Sequence, residues 1–359
     1  MQTTSAPDVE RSAAPSTFLT VQALRAIAAL MVVAYHAFDM WALRVKPGDY
    51  WTNGAAGVDI FFVISGFVMV VSAQRLVGQP SSWSIFMRHR IVRIVPLYWL
   101  LSTLKLILVV FFAGLALRSS LNADYILRSY LFFPVVDTAG HFRPLLPVGW
   151  TLTYEFMFYL LFALALALRV EVLRVVIPAF ALIGGLALLR GGDWPEWTIL
   201  FSTIVFEFLF GVVLAKLILR GWSMSPVVAG GAIVLGFALL LTVPEGSENL
   251  RVIAWGIPAL AIVAGAVSLE SQLGRWLPGW LLKLGDASYS IYLVHGFVLP
   301  ILGISVAALH WSGYLAQGTT VLICLIAGAL AGWLTYVGVE RPTLLWMKRR
   351  GPARQRQVA

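Results

Sequence analysis

Charge is scarce in this sequence. Only 12% of its 359 residues are Asp, Glu, Lys or Arg, against about 25% in soluble domains. One cysteine, Cys324, lies inside an apolar run, which excludes a disulfide framework and a thiolate metal site and leaves it as a small apolar filler. No internal repeat is visible, and no low-complexity tract occurs beyond the tails. Acidic residues are outnumbered by basic ones, 17 to 26, for a formal net charge of +9. Such a surplus can mark a nucleic-acid partner. Here the basic residues flank hydrophobic segments, where a topology signal belongs, and nucleic acid is excluded.

Apolar residues fill the space that charge leaves: 60% of the chain, with a mean hydropathy of +0.85. The expectation is an all-α, polytopic transmembrane helix bundle. Runs near 20 apolar residues fall at about 19–41, 55–76, 92–116, 148–169, 172–190, 197–219, 227–243, 251–269, 288–309 and 318–339, which makes ten spans. The runs at 172–190 and 227–243 are the weakest, being short or broken by Gly and Pro. Ten spans put both termini on one face. That face carries 17 of the Lys and Arg residues and the other carries 7; Arg25 and Lys105, inside spans, complete the 26. The positive-inside rule then makes both termini cytoplasmic. The first 18 residues are polar and mixed in charge, and the following run is too long for a signal-peptide core, so it reads as a retained span. The expected organisation is a polar tail over 1–18, a membrane domain over 19–345 and a basic tail over 346–359. In the long external loop, 117–147, the stretch LNADYILRSYLFFP is apolar enough to lie on the interface or fold back over the bundle.

Ionisable groups inside spans are expensive and mark function by default. Arg25 and His36 share the first span with ten residues between them. Eleven helical steps return to within roughly 20° of the starting direction and climb roughly 16 Å, so both face one interior. Counting depth from the span ends puts Arg25 in the inner half and places His36, Asp59 and Glu155 together in the outer half. A carboxylate holding one imidazole nitrogen would make the other a better base. The competing readings are structural: an interhelical hydrogen bond for His36, a helix cap or interfacial anchor for Asp59, and a packing role for Glu155. Lys105 and Glu207 lie within spans and are expected to pair. His295 falls in the inner third of its span. On the cytoplasmic side Arg88, His89, Arg90 and Arg93 cluster densely. Anionic lipid explains them, and so does a phosphate site, since guanidinium groups bind phosphate through paired hydrogen bonds. The small residues of GAAGVDIFFVISGF allow close helix approach, and that stretch holds no GxGxxG or P-loop pattern.

Six segments, in order, carry a resemblance: LRAIAALMVVAYH (24–36), GAAGVDIFFVISGF (54–67), FMRHRIVRIVPLYW (86–99), VGWTLTYEFMFY (148–159), LGDASYSIYLVH (284–295) and the closing VERP. The chain resembles the acyltransferase-3 family of bacterial integral membrane acyltransferases, and most of all the branch that acetylates exopolysaccharides such as succinoglycan. The resemblance implies ten spans in the bacterial cytoplasmic (inner) membrane. It implies an acyl-CoA donor such as acetyl-CoA on the cytoplasmic side, no metal, and a carbohydrate acceptor, free or lipid-linked, handled at the lipid membrane. The family's basic residue and histidine fall on Arg25 and His36, its Arg-x-x-Arg on Arg90 and Arg93, and its Trp-x-x-x-x-Glu on Trp150 and Glu155. Some relatives carry a hydrolase-like domain after the last span, so here the membrane domain or a separate partner is expected to complete the transfer. The expected site is His36 as base, oriented by Glu155 or Asp59, with Arg25, Arg88, Arg90 and Arg93 holding the donor. The alternative is a transporter or flippase of a lipid-linked sugar, with His36, Glu155 and Lys105 as a relay.

Overall fold

A computed structural model of the chain describes residues 18–48, 50–76, 79, 81–111, 121–191, 193–247, 249–310 and 312–349. The polar tail, most of the basic tail and part of the long external loop lie outside these residues. Among them the fold is helical, and an isolated bridge between Val136 and Phe142 is the extended pairing. The helices are α1 (Leu19–Arg44), α2 (Gly57–Ala73), α3 (Ser82–Phe111), α4 (Ala123–Tyr130), α5 (Trp150–Ala167), α6 (Val172–Leu189), α7 (Val205–Leu219), α8 (Pro226–Thr242), α9 (Ile257–Ser268), α10 (Glu270–Leu273), α11 (Gly279–Asp286), α12 (Ser288–Ala308), α13 (Tyr314–Thr335) and α14 (Arg341–Arg349).

Eight described helical segments are long and apolar enough to cross a membrane. A ninth results if Val252–Ser268 and Glu270–Trp276, bent by 58°, count as one span. Ten were expected from the sequence. The run expected at 227–243 forms Pro226–Thr242, a shorter apolar helix of 17 residues, about 25 Å long against a hydrocarbon core of about 30 Å. The external stretch folds back: Asn122 caps α4 by accepting from the Asp124 N–H (2.8 Å), and Tyr98 of α3 donates to the Ser129 carbonyl (2.9 Å).

The first two helices form the centre. α1 packs against α2, α11, α12 and α13, whereas α2 packs against α7 and α9. At the start of α1, Glu270 accepts from the Leu19 and Thr20 N–H groups (2.8 and 2.9 Å). This carboxylate satisfies otherwise orphaned donors and complements the helix dipole. Between α2 and α7 the backbones touch: Gly66 faces the Phe208 carbonyl and Gly211 faces the Val63 carbonyl, and any side chain at either would strike an oxygen.

Asp59 does not stand near His36. The face of α2 that meets α1 is marked by Gly57, which lies on Ala28 and Val32. Asp59 is two residues on, about 200° round the helix, and points to the opposite side. There it accepts two hydrogen bonds from Arg251 (3.0 and 2.8 Å), which also donates to Glu245 (2.5 Å). Glu207 of α7 lies beside Asp59 and not Lys105; both carboxyls are fully buried. Lys105 has no ion-pair partner among the described residues, and the pairing expected with Glu207 is not made. The Asp59–Arg251 pair ties α2 to the π-helical turn Val252–Gly256 that leads into α9. Replacing Arg251 by Leu leaves two adjacent buried carboxyls without a cation. We expect a loss of about 3–5 kcal/mol, read as a lowered thermal unfolding midpoint in detergent; an unchanged midpoint would show that the pair does not hold these helices.

Candidate active site

Towards the end of α1, His36 meets a second histidine. The Nδ1 of His36 lies 2.9 Å from the Val32 carbonyl and 3.3 Å from Nε2 of His295. The Nδ1 of His295 lies 3.2 Å from the Ile291 carbonyl. A carbonyl only accepts, so in the neutral pair each Nδ1 carries the hydrogen. His295 then presents a bare Nε2 to the Nδ1–H of His36, and the Nε2 lone pair of His36, unpartnered among the described residues, is left for a substrate. His295 is fully buried and His36 half-buried. The tautomer of the candidate base is therefore set by a backbone carbonyl and an imidazole rather than by a carboxylate.

His295 shares the level of His36 and does not lie in the inner third of the bundle. Gly285 of α11 packs on the backbone of Gln22, so α12 begins near the level of Arg25, and Gly328 touches both Val33 and His295, which puts His295 within one turn of the level of His36. Depth counted from a helix's own end fails when the ends are staggered.

The basic residues build a separate space. A cavity of about 110 Å³ is lined by Arg25, Arg90, Arg93, Glu155, Tyr159 and Ser288, among others. Arg90 donates to Ser72 (2.5 Å) and lies over the rings of Phe86 and Tyr159, 5.3 and 6.0 Å from their centroids. Its Nε and the Ser288 hydroxyl are buried without a hydrogen-bond partner among the described residues. Arg25 has Arg93, Glu340, Glu155 and Asp286 as electrostatic neighbours. Arg88 does not line this space; two residues from Arg90, it lies about 200° round α3.

Glu155 belongs to this cavity and not to His36. It accepts from Ser65 (3.1 Å) and Tyr159 (2.6 Å). Its depth follows from where α5 begins. The Tyr292 hydroxyl donates to the Val148 carbonyl (3.1 Å), so the turn Pro147–Gly149 is already inside the bundle, as irregular backbone can be when protein covers it. The relay of His36, Glu155 and Lys105 is not assembled. Tyr292 links the two regions: it lines the cavity, and its ring centroid is 6.1 Å from that of His295. Phe61, 6.0 Å from Tyr292, stands on the cavity wall as well. His36 itself does not line the cavity.

Sequence reasoning missed Tyr159, Ser65, Ser288 and Tyr292. One signal was present for the last two: Ser288, Tyr292 and His295 recur at i, i+4 and i+7, one face of a helix. Among the described residues no group of three His, Cys, Asp or Glu side chains is arranged to hold a metal.

Two neighbouring features linked by Tyr292, an arginine-lined cavity and an imidazole with a free nitrogen, suit transfer of an activated group to a nucleophile. The family model described as an acyltransferase domain matches residues 18–337. The exopolysaccharide production protein ExoZ of Rhizobium meliloti is 33% identical, over 86% of this chain and 94% of its own length. The acyltransferase MdmB of Streptomyces mycarofaciens is 27% identical, over 92% of each. The peptidoglycan O-acetyltransferase OatA of Listeria monocytogenes is 26% identical, over 85% of this chain and 53% of its own. No solved structure matches. The chain belongs to the acyltransferase-3 family and is a membrane-embedded O-acetyltransferase.

Proposed function

We propose that this protein takes an acetyl or similar acyl group from acyl-CoA at the cytoplasmic side and places it on a hydroxyl of an exopolysaccharide or other surface glycan. The observation that carries the reading is the charge of the cavity. Three guanidinium groups face one carboxylate there, and two buried polar atoms have no partner. Such a space in an apolar bundle calls for an anion, and the phosphates of CoA suit guanidinium groups. The names of the exopolysaccharide and peptidoglycan relatives support a glycan acceptor. The surplus of basic residues on one face supports cytoplasmic termini in a bacterial inner membrane. The domain extends over 19–345, flanked by the two tails.

In this reading Arg90 and Arg93 hold the donor's phosphates and Arg25 lies deeper along the same space. The acyl-bearing arm passes Phe61 and Tyr292 to reach His36. His36 Nε2 takes the proton of the acceptor hydroxyl, whose oxygen bonds to the thioester carbonyl carbon. The C–S bond then breaks, and the departing CoA sulfur takes the proton back from His36. Glu155 is a positioning residue on the cavity wall.

His36→Ala is expected to lower transfer of labelled acetyl groups to glycan in membrane vesicles by about 10²–10⁴, with normal insertion; wild-type labelling would rule out the base. His295→Ala removes the acceptor that steadies the His36 ring. A fall in kcat of about 10² at an unchanged donor KM is expected, with part of it restored in His295→Gln, whose side-chain carbonyl can accept the same hydrogen bond. Arg90→Gln or Arg93→Gln removes a charged hydrogen bond of about 1.5–3 kcal/mol, so the acyl-CoA KM should rise roughly 10- to 150-fold; an unaltered KM would place the donor elsewhere.

A further inference from the structure

Within electrostatic range of His36 lies another cation that the mechanism above does not use. Arg143 stands on the loop between α4 and α5, at the end of the bundle opposite the three cavity arginines. Its backbone is pinned. The neighbouring Val136 and Phe142 form a bridge, Asp137 accepts from the Ala139 and His141 N–H groups (2.9 and 3.0 Å), and Tyr125 donates to the Arg143 carbonyl (3.0 Å). Its guanidinium, by contrast, makes no hydrogen bond or ion pair among the described residues, although the residue is half-buried. Two other cations on this side are neutralised: Arg251 has Asp59 and Glu245, and Arg128 has Asp124 and Glu196; Arg44, in the last turn of α1, has no ion pair among the described residues but is not an electrostatic neighbour of His36. Arg143 has His36, Tyr35, Tyr50 and Asp137 as electrostatic neighbours. Beside them Asp39 accepts from the Tyr50 hydroxyl (2.7 Å). His36, Asp39, Tyr50 and Arg143 are all half-buried, within reach from outside, unlike the sealed Asp59 and Glu207.

A partly desolvated guanidinium with no carboxylate in ion-pair contact, within electrostatic range of His36, is a place for an anion. The donor's phosphates have their own arginines at the far end, so this anion belongs to the other substrate. Resting on the acyl-transfer reading, we propose that Arg143 binds an anionic group of the acceptor and thereby sets the acceptor's hydroxyl against His36. The group is the carboxylate of an acidic sugar or the phosphate of a lipid carrier. Asp39 and Tyr50 complete the surface with partners for sugar hydroxyls.

The test uses the full chain in membranes with labelled acetyl-CoA and two acceptor pairs. One pair is a galacturonate oligomer and its methyl ester. The other is a neutral oligosaccharide on a polyprenyl diphosphate and the same sugar on an uncharged alkyl chain. Wild-type protein should favour the charged member of one pair in kcat/KM by roughly tenfold or more. Arg143→Gln should collapse that ratio towards one, and Arg143→Lys should keep part of it. Preference within the first pair identifies a sugar carboxylate, and within the second a carrier phosphate. Equal protection of wild type and Arg143→Gln against heat by acetyl-CoA verifies that the variant is folded. No wild-type preference in either pair, or an unchanged ratio in Arg143→Gln, overturns the proposal. Absence of transfer to every acceptor overturns the acyl-transfer reading, and the anion site with it.

Discussion

An apolar bundle with little water inside cannot hold a guanidinium group for nothing, because the attraction that would stabilise it in a salt bridge must first offset the loss of hydration. The molecule meets this constraint in two ways. Arg251, its side chain 11% exposed, is neutralised by Asp59 and Glu245 and serves as a tie between helices. Arg25, Arg90 and Arg93 have only Glu155 on the cavity wall. Part of the deficit is met by aromatic faces and a serine, since Arg90 lies over Phe86 and Tyr159 and donates to Ser72. Glu340 and Asp286 lie within electrostatic range of Arg25 but do not line the cavity, so the wall itself carries three guanidinium groups and one carboxylate.

One short helix arranges most of this. Gly57 lets α2 lie on α1, Asp59 turns to Arg251, Phe61 and Ser65 face the cavity, and Gly66 brings α7 to backbone contact. These residues fall within a single stretch, 57–66, whose period of about 3.6 sends each to a different neighbour. The ion pair and one wall of the cavity are thus contributed by the same element.

The two histidines show how an imidazole can be oriented without a carboxylate. Backbone carbonyls one turn back, at Val32 and Ile291, take the Nδ1 hydrogens. The contact between the rings then holds His36 against rotation and keeps its second nitrogen outward. An imidazole partner, when neutral, adds no fixed charge beside the ring it holds.

Much was legible in the sequence because the bilayer acts on each segment alone: apolar runs of sufficient length become helices, and the positions of Arg25, His36, Arg90 and Arg93 follow from helical period. The shortness of α8 and the fold-back of α4 were visible as a broken run and an apolar loop. Partnership was not. Whether Asp59 meets His36 or Arg251 depends on which of its faces α2 turns to α1, and Gly57 decides that through packing. Whether Glu155 stands with His36 or with the arginines depends on α5 starting inside the bundle, and the level of His295 on α11 packing beside Gln22. Local sequence determined which side chains enter the membrane and on which helical face they lie; only the tertiary structure decided their relative depth and their neighbours, because helix stagger is set by close packing between segments distant in the chain.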